Sequence, residues 1–271
     1  NDTVICAVSG GPDSMVLFNL LLKIEKKLKI KIICAHVNHK VRKESDDEEI
    51  FVKEYCEKYK TIFECYHIEE YGDENFHKDA RDKRYNFYEE LVNKYHARYL
   101  FTAHHGDDLM ETILMRLTRG SNLKGYKGFS KVVEMKNYKI VRPLIELTKE
   151  EIAQYDEKNG IPYAIDQSNF KDVYTRNRFR KYVLPILKNE DKNVHLKFYK
   201  FSNMLDECDK YIDKIVLEKI KKIYIQNKLD IKEFIKEEHV IQMRIINFIL
   251  KKIYENNIMN ITDRHVENIY K

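Results

Sequence analysis

A chain of 271 residues, 43% of them hydrophobic, is long enough for one large domain or two smaller ones and too apolar to stay unfolded. Its net charge of +5, with 34% charged residues, is a mild basic excess that neither requires nor excludes a nucleic-acid partner. No apolar run approaches the roughly 20 residues of a membrane-spanning helix, and the five cysteines (Cys6, Cys34, Cys56, Cys65, Cys208) form no Cys-x-x-Cys pair, which argues against a disulfide scaffold, a zinc site or an iron–sulfur cluster. Free, mostly buried thiols and the lack of a secretory leader pattern suggest a cytoplasmic protein without membrane contact. The chain opens Asn-Asp-Thr without an initiator Met, so a few residues are expected ahead of it.

In chain order, residues 3–8 form a short apolar run, as expected of a parallel strand buried on both faces. Helical spacing follows over 15–27, and a second strand over 29–37. Ser45-Asp46-Asp47-Glu48 reads as a capping box opening a helix that runs to about Tyr59. A third strand (61–68), a long helix (74–96), a fourth strand (98–103) and a helix from about Asp107 to Arg119 come next. Strands alternating with helices in this way imply βαβ units around a parallel sheet, with ligands at the carboxyl ends of the strands, just after Val8, Val37 and Ala103. From Gly120 the pattern changes: Gly120, Gly125 and Gly128 mark a loop, and 132–134 with 139–141 form a hairpin. Thr148-Lys149-Glu150-Glu151 is another capping box, whose helix ends at Gly160 and Pro162. Beyond Pro185 the alternation stops, and 191–222 and 233–254 read as long amphipathic helices, followed by one that Thr262 opens. The expected division is therefore 1–187, an α/β domain, and 188–271, a smaller all-α domain.

Polar signatures fall at the predicted strand ends. Ser9-Gly10-Gly11-Pro12-Asp13-Ser14 lies between a strand and a helix, where glycines let the backbone approach an anion and N–H groups at the helix start bind phosphate. Ser9 and Ser14 add hydroxyl donors. There is no Lys, so this is not a Walker A loop. Asp13 would repel a bare phosphate; its sensible role is to hold Mg²⁺ bridging the phosphates, the bland alternative being a helix cap. His36-Val37-Asn38-His39, with Arg42 and Ser45-Asp46, follows the second strand, either as solvated histidines or as part of a nucleotide site. Ala103-His104-His105-Gly106-Asp107-Asp108, with Glu111, gathers carboxylates on one helical turn. Capping explains one Asp; the group suggests a metal or a cationic co-substrate. Ala80-Arg81-Asp82-Lys83-Arg84-Tyr85 is a charged helix face or a site-facing segment. Asp166-Gln167-Ser168-Asn169 precedes a basic run with aromatic interleaving that contains Lys171, Tyr174, Arg176, Asn177, Arg178, Phe179 and Arg180; it is either a solvated helix or a surface that neutralises phosphates and stacks on bases.

The Ser-Gly-Gly-x-Asp-Ser run resembles the PP-loop of the N-type ATP pyrophosphatases. The His-x-Asn-His, Ala-Arg-x-x-Arg-Tyr, Ala-His-His-x-Asp-Asp-x-x-Glu-Thr and Asp-x-Ser-Asn…Arg-Asn-x-x-Arg stretches are similar to those of the lysidine synthases within that superfamily. The resemblance covers roughly residues 3 to 185. It implies an adenine nucleotide alpha hydrolase-like, Rossmann-like fold and cleavage of ATP between its α and β phosphates. It further implies a ligase that adenylates the wobble cytidine of the CAU anticodon of tRNA(Ile) and then lets the ε-amine of free L-lysine displace AMP. The implied site residues are Asp13, His105 and Arg81 for catalysis, and Ser9, Gly10, Gly11, Pro12, Asp13, Ser14, His36 and Asn38 for ATP. Asp13 is implied for Mg²⁺, Asp107, Asp108 and Glu111 for lysine, and Arg176, Asn177, Arg178 and Arg180 for tRNA. Many relatives carry a further C-terminal domain that helps bind tRNA, so the chain reads as a short member or a truncated one. Oligomeric state stays open, a homodimer included. The rivals are a tRNA 2-thiolation enzyme, which generally needs paired cysteines (Cys34 and Cys65 could approach each other), and a nucleotide- and RNA-binding module without catalysis, which leaves Asp13 and the acidic cluster unexplained.

Overall fold

The computed structural model describes residues 2–40, 44–71, 76–164, 175–254 and 263–270. The chain divides into two compact units, one of Asn1–Thr118 with Phe129–Lys200 and one of Arg119–Gly128 with Phe201–Lys271.

The first unit is built on a six-stranded sheet. Strand β1 (Thr3–Ala7) leads into helix α1 (Pro12–Leu28), then β2 (Lys31–Asn38), α2 (Glu44–Tyr59), β3 (Ile62–His67), α3 (Phe76–Tyr95), β4 (Tyr99–Phe101) and α4 (Gly106–Arg119). After the short α5 (Leu123–Tyr126), which belongs to the second unit, come β5 (Val132–Glu134), β6 (Lys139–Val141), a 3₁₀ turn (Pro143–Glu146) and α6 (Lys149–Asn159). A short α7 (Thr175–Arg178) runs through a π-helical turn (Phe179–Val183) into α8 (Leu184–Glu190), followed by α9 (Val194–Ile223). The strand order is β3-β2-β1-β4-β6-β5, parallel throughout except for β5 against β6.

Period-two alternation explains why this sheet forms. Val4, Cys6, Ile32 and Cys34 point to one face, into a core with Met15, Phe18, Leu21 and Val52 from α1 and α2. Ile5, Ile33, Ala35 and Val37 point to the other, against Phe87, Tyr88, Leu91 and Val92 of α3. A strand buried on both faces reads as a continuous apolar run. The chain steps outward from β1 through β2 to β3, then returns to place β4 on the opposite side of β1. That reversal is the topological switch point, where a crevice opens at the carboxyl ends of β1 and β4.

Local signals set the helix ends. Thr148 accepts from the Glu151 N–H at 3.1 Å while the Glu151 carboxylate accepts from the Thr148 N–H at 2.7 Å, completing the predicted box. Gly160 ends α6 in the left-handed region at φ 56°. Helix α2 begins at Glu44, one residue ahead of the predicted Ser45 cap, which puts Ser45 inside the first turn.

In the second unit, Val216, Ile220 and Ile223 of α9 pack with Phe234 of α10 (Ile231–Phe234), with Ile241, Ile245 and Ile246 of α11 (His239–Ile253), and with Val266 of α12 (Asp263–Tyr270). The expectation of an all-α domain needs two corrections. A hairpin of β7 (Tyr224–Ile225) and β8 (Lys228–Leu229) turns through Gln226 and Asn227 at φ 50° and 59°, a conformation that suits such a two-residue turn. The single helix predicted over 233–254 is also broken, because the chain leaves α10 after Phe234 and restarts at His239. No described helix is long and apolar enough to cross a membrane.

Candidate active site

The turn after β1 carries the first half of the site. Gly10 has φ +91°, which L side chains rarely adopt, so glycine is required there. Among the described residues a Cβ on Gly11 would meet only the Ser9 Oγ, at 3.6 Å, so a ligand can approach this backbone closely. Gly11 precedes α1 without a side-chain cap, and Pro12 occupies the first turn, so the helix start keeps donors for an anion. Ser14 is buried; its hydroxyl donates to the Gly11 carbonyl at 2.8 Å and accepts from the Ser9 N–H at 3.2 Å. Ser14 thus stitches the loop shut and does not offer its hydroxyl proton to a ligand, whereas Ser9 is exposed at the rim.

Asp13 is not a helix cap. Its Oδ1 accepts from Lys149 Nζ at 2.5 Å, and its Oδ2 lies 3.8 Å from His105 Nε2. His105 follows β4, is 3% exposed, and places the same nitrogen 3.4 Å from Asp108 Oδ2. One imidazole therefore bridges the turn after β1 and the helix after β4, across the switch point.

The acidic residues of α4 divide into two groups. Glu111 is fully buried and receives Arg180 through Nε at 2.7 Å and Nη2 at 3.2 Å, and Arg176 Nε at 3.3 Å. Asp108 takes Arg180 Nη2 at 3.4 Å and the His105 N–H at 3.2 Å. Asp107 is engaged by other cations: its Oδ2 accepts from Lys188 Nζ at 2.6 Å and from the Lys149 N–H at 3.2 Å. Burial pushes the Glu111 carboxyl above its usual range despite Arg180. Burial also opposes ionisation of Asp108, but His105, His104, Arg176 and Arg180 outweigh it and hold that carboxyl low. Burial lowers His104 to about 4, so its imidazole is neutral; Nδ1 lies 3.0 Å from Thr102 Oγ1.

The remaining expected residues have other surroundings. His36 is buried, donates from Nδ1 to the Val8 carbonyl at 2.9 Å and stays neutral because burial lowers its pKa; it braces the start of the glycine turn. Asn38 is also buried and donates to Asp46 and Glu49, each at 2.8 Å, while accepting from the Lys40 N–H. Arg81 is exposed on α3, 4.9 Å from the Tyr85 ring, and its charge acts on Arg142. Arg176 and Arg180, read from the sequence as facing RNA, turn toward Glu111, while Arg178 donates to Thr175 at 3.3 Å. Asn177 also lies on α7. Arg42, the 166–169 segment, Lys171 and Tyr174 lie outside the described residues.

Sequence reasoning missed Lys149, Lys188 and Arg142. Arg142 is 5% exposed, donates from Nη1 to the Ser130 carbonyl at 2.7 Å and lies 5.1 Å from the Phe129 ring, which His104 approaches at 5.3 Å. Its Nε has no partner among the described residues. The signal was Arg142-Pro143 directly after a strand, at another carboxyl end.

A parallel sheet with an anion-binding turn at its switch point defines a nucleotide-binding α/β protein. Residues 1–187 match the PP-loop domain family, and the chain belongs to that family. It is similar to a tRNA(Ile)-lysidine synthase of Bacillus cereus, 41% identical over 98% of this chain and 59% of the relative. A tRNA(Ile)-lysidine synthase of Bacillus subtilis is 37% identical over 98% and 58%. The chain spans about 59% of the length of these curated relatives. Among solved structures it is similar to the U34-tRNA thiolase NcsA of Methanococcus maripaludis, with TM-score 0.67 and 19% identity over 76% of this chain and 72% of that one, a likeness of fold.

Proposed function

We propose that this chain is the catalytic part of a tRNA(Ile)-lysidine synthase, with the chemistry in residues 1–187 and a helical subdomain in 188–271. The observation that carries the reading is the His105 bridge: Asp13 of the anion-binding turn and Asp108 of the acidic cluster lie 3.8 and 3.4 Å from one imidazole nitrogen. A site joining ATP to a cationic amine needs that adjacency.

In this reading the turn from Ser9 to Ser14 cradles the ATP phosphates through its backbone N–H groups. Asp13 fits Mg²⁺, which is commonly held by one or two carboxylates plus substrate phosphates; the ion would neutralise charge on the departing pyrophosphate. The base oxygen of the wobble cytidine in the CAU anticodon attacks the α-phosphorus and pyrophosphate leaves. The lysine ε-amine then attacks the activated ring carbon and AMP leaves. Lysine arrives as a cation, so it exchanges with the guanidiniums of Arg176 and Arg180 on Asp108 and Glu111. The attacking amine must shed a proton, and His105 is placed to receive it. Asp107, paired with Lys188, positions α6 and Lys149. Arg81, exposed on α3, and Asn177 and Arg178 on α7 supply contacts to RNA phosphates in this reading. With tRNA as substrate, the reaction belongs in the cytoplasm.

The test is ATP labelled at the α-phosphate with Mg²⁺, lysine and an unmodified tRNA(Ile) transcript. Lysine incorporation that is lost in Asp13→Asn supports the reading. AMP release with no lysine in the RNA transfers the assignment to another nucleophile. A thiolation chemistry is disfavoured because Cys6, Cys34 and Cys56 are sealed in the core.

A further inference from the structure

The edge strand β3 carries Cys65 and His67 two residues apart, hence on the same face of the strand. Glu49 of α2 reaches that face, and its Oε2 lies 2.7 Å from His67 Nε2. Cys65 Sγ lies 3.7 Å from the same nitrogen, and the donor atoms of all three residues fall within 4.8 Å of one another. Among the described residues this is the one place where three such groups converge. Asn38, buried and fixed by the Lys40 N–H, donates to Glu49 Oε2 at 2.8 Å and so aims the carboxylate.

We propose that Glu49, Cys65 and His67 form a zinc site. Zinc binds thiolate sulfur at about 2.3 Å and imidazole nitrogen at about 2.0–2.1 Å in a tetrahedron, which sets neighbouring donor atoms about 3.2–3.6 Å apart. The Cys65–His67 separation lies about 0.1 Å beyond that range, and Glu49 and His67 must part by about 0.6 Å. A thiolate, an imidazole and a carboxylate together favour zinc over magnesium or calcium, which take oxygen ligands. On binding, the Cys65 thiol releases its proton to solvent, and water fills the fourth position. Asn38 supplies the outer hydrogen bond that metal-ligating side chains commonly have. The ion ties the edge strand to α2. The competing reading is a surface Glu–His ion pair with a thiol nearby. The proposal stands independently of the lysidine reading, because none of the three ligands belongs to the ATP or acidic cluster.

The full chain, stripped with a chelator, is titrated with Co²⁺ and then with Zn²⁺. The expected result is a thiolate-to-cobalt charge-transfer band with the visible bands of a four-coordinate ion, saturating at a single equivalent and displaced by zinc. Cys65→Ser abolishes the charge-transfer band with its circular dichroism unchanged. His67→Ala and Glu49→Gln weaken zinc binding by at least the 10–100-fold that loss of an outer-shell partner costs. Cys208→Ser, at an exposed cysteine elsewhere, changes nothing. A band that survives Cys65→Ser, vanishes in Cys208→Ser or never forms on the folded wild-type chain overturns the proposal.

Discussion

Glu111→Gln separates a substrate site from a structural clamp. In the folded chain the carboxylate is fully buried and accepts three contacts, at 2.7, 3.2 and 3.3 Å, from two guanidiniums. Hydrogen bonds to charged groups contribute about 1.5–3 kcal/mol each when well made. Here both arginine side chains are more than two-fifths exposed, so water replaces much of what is lost. Against that loss stands the cost of keeping a charge out of water, several kcal/mol per ion, which the amide avoids. The two effects nearly cancel, and the urea midpoint should shift by no more than about 1 kcal/mol equivalent. Under the proposed function, the contact of Glu111 with the lysine ammonium has no such compensation. Loss of one charged contact of about 2.7 kcal/mol lowers kcat/KM for lysine about 100-fold. The pH dependence gives a second check. Burial raises the Glu111 carboxyl above 4.5, so the folded state holds a proton that the unfolded state has already released. That contribution is present below the unfolded value and is lost as pH rises through the raised folded one. The glutamine variant lacks this slope. A loss of more than about 3 kcal/mol in stability with kcat/KM for lysine unchanged would refute the reasoning and make Glu111 a clamp for α7.

Three further outcomes follow from the geometry. Gly106→Ala places a Cβ 2.9 Å from the Leu147 carbonyl and 3.2 Å from His195, and should cost about 1–3 kcal/mol by denaturant melt. Thr148→Ala removes a complete capping box and should cost about 1 kcal/mol, with turnover falling as well because Lys149 follows directly. His104 should titrate near 4 by NMR; its contribution to stability is present above 6.5 and lost as pH falls through about 4, and His104→Gln should remove that part of the acid slope.

The elements legible in the sequence were those fixed by short-range physics. Strand β1 announced itself because burial on both faces leaves a nearly continuous apolar run, and α6 because its box and its left-handed glycine lie within one turn of its ends. The glycine turn was legible because only a special backbone tolerates Gly10 at φ +91°. Partnerships across the chain were not. Lys149 meets Asp13 from 136 residues away, and Lys188 meets Asp107 from 81, and neither lysine stands out in a chain where a third of residues are charged. Composition could not tell whether Arg176 and Arg180 look outward to RNA or inward to Glu111. The zinc ligands escaped because their spacing joins a helix and a strand and follows no cysteine pair.

The π-helical turn at Phe179–Val183 acts as a phase adapter. Upstream of it Arg176 meets Glu111; downstream, Lys188 meets Asp107. Each residue added to or taken from a helix rotates everything beyond it by about 100°. Deleting one residue within this turn would leave Arg176 in place and swing Lys188 away from its carboxylate. Arg180 sits within the turn and pairs with Glu111, so its side chain is fixed there, while an insertion or deletion beyond it would pull Lys188 from Asp107 and Glu150 and disengage α8 from α4 and α6.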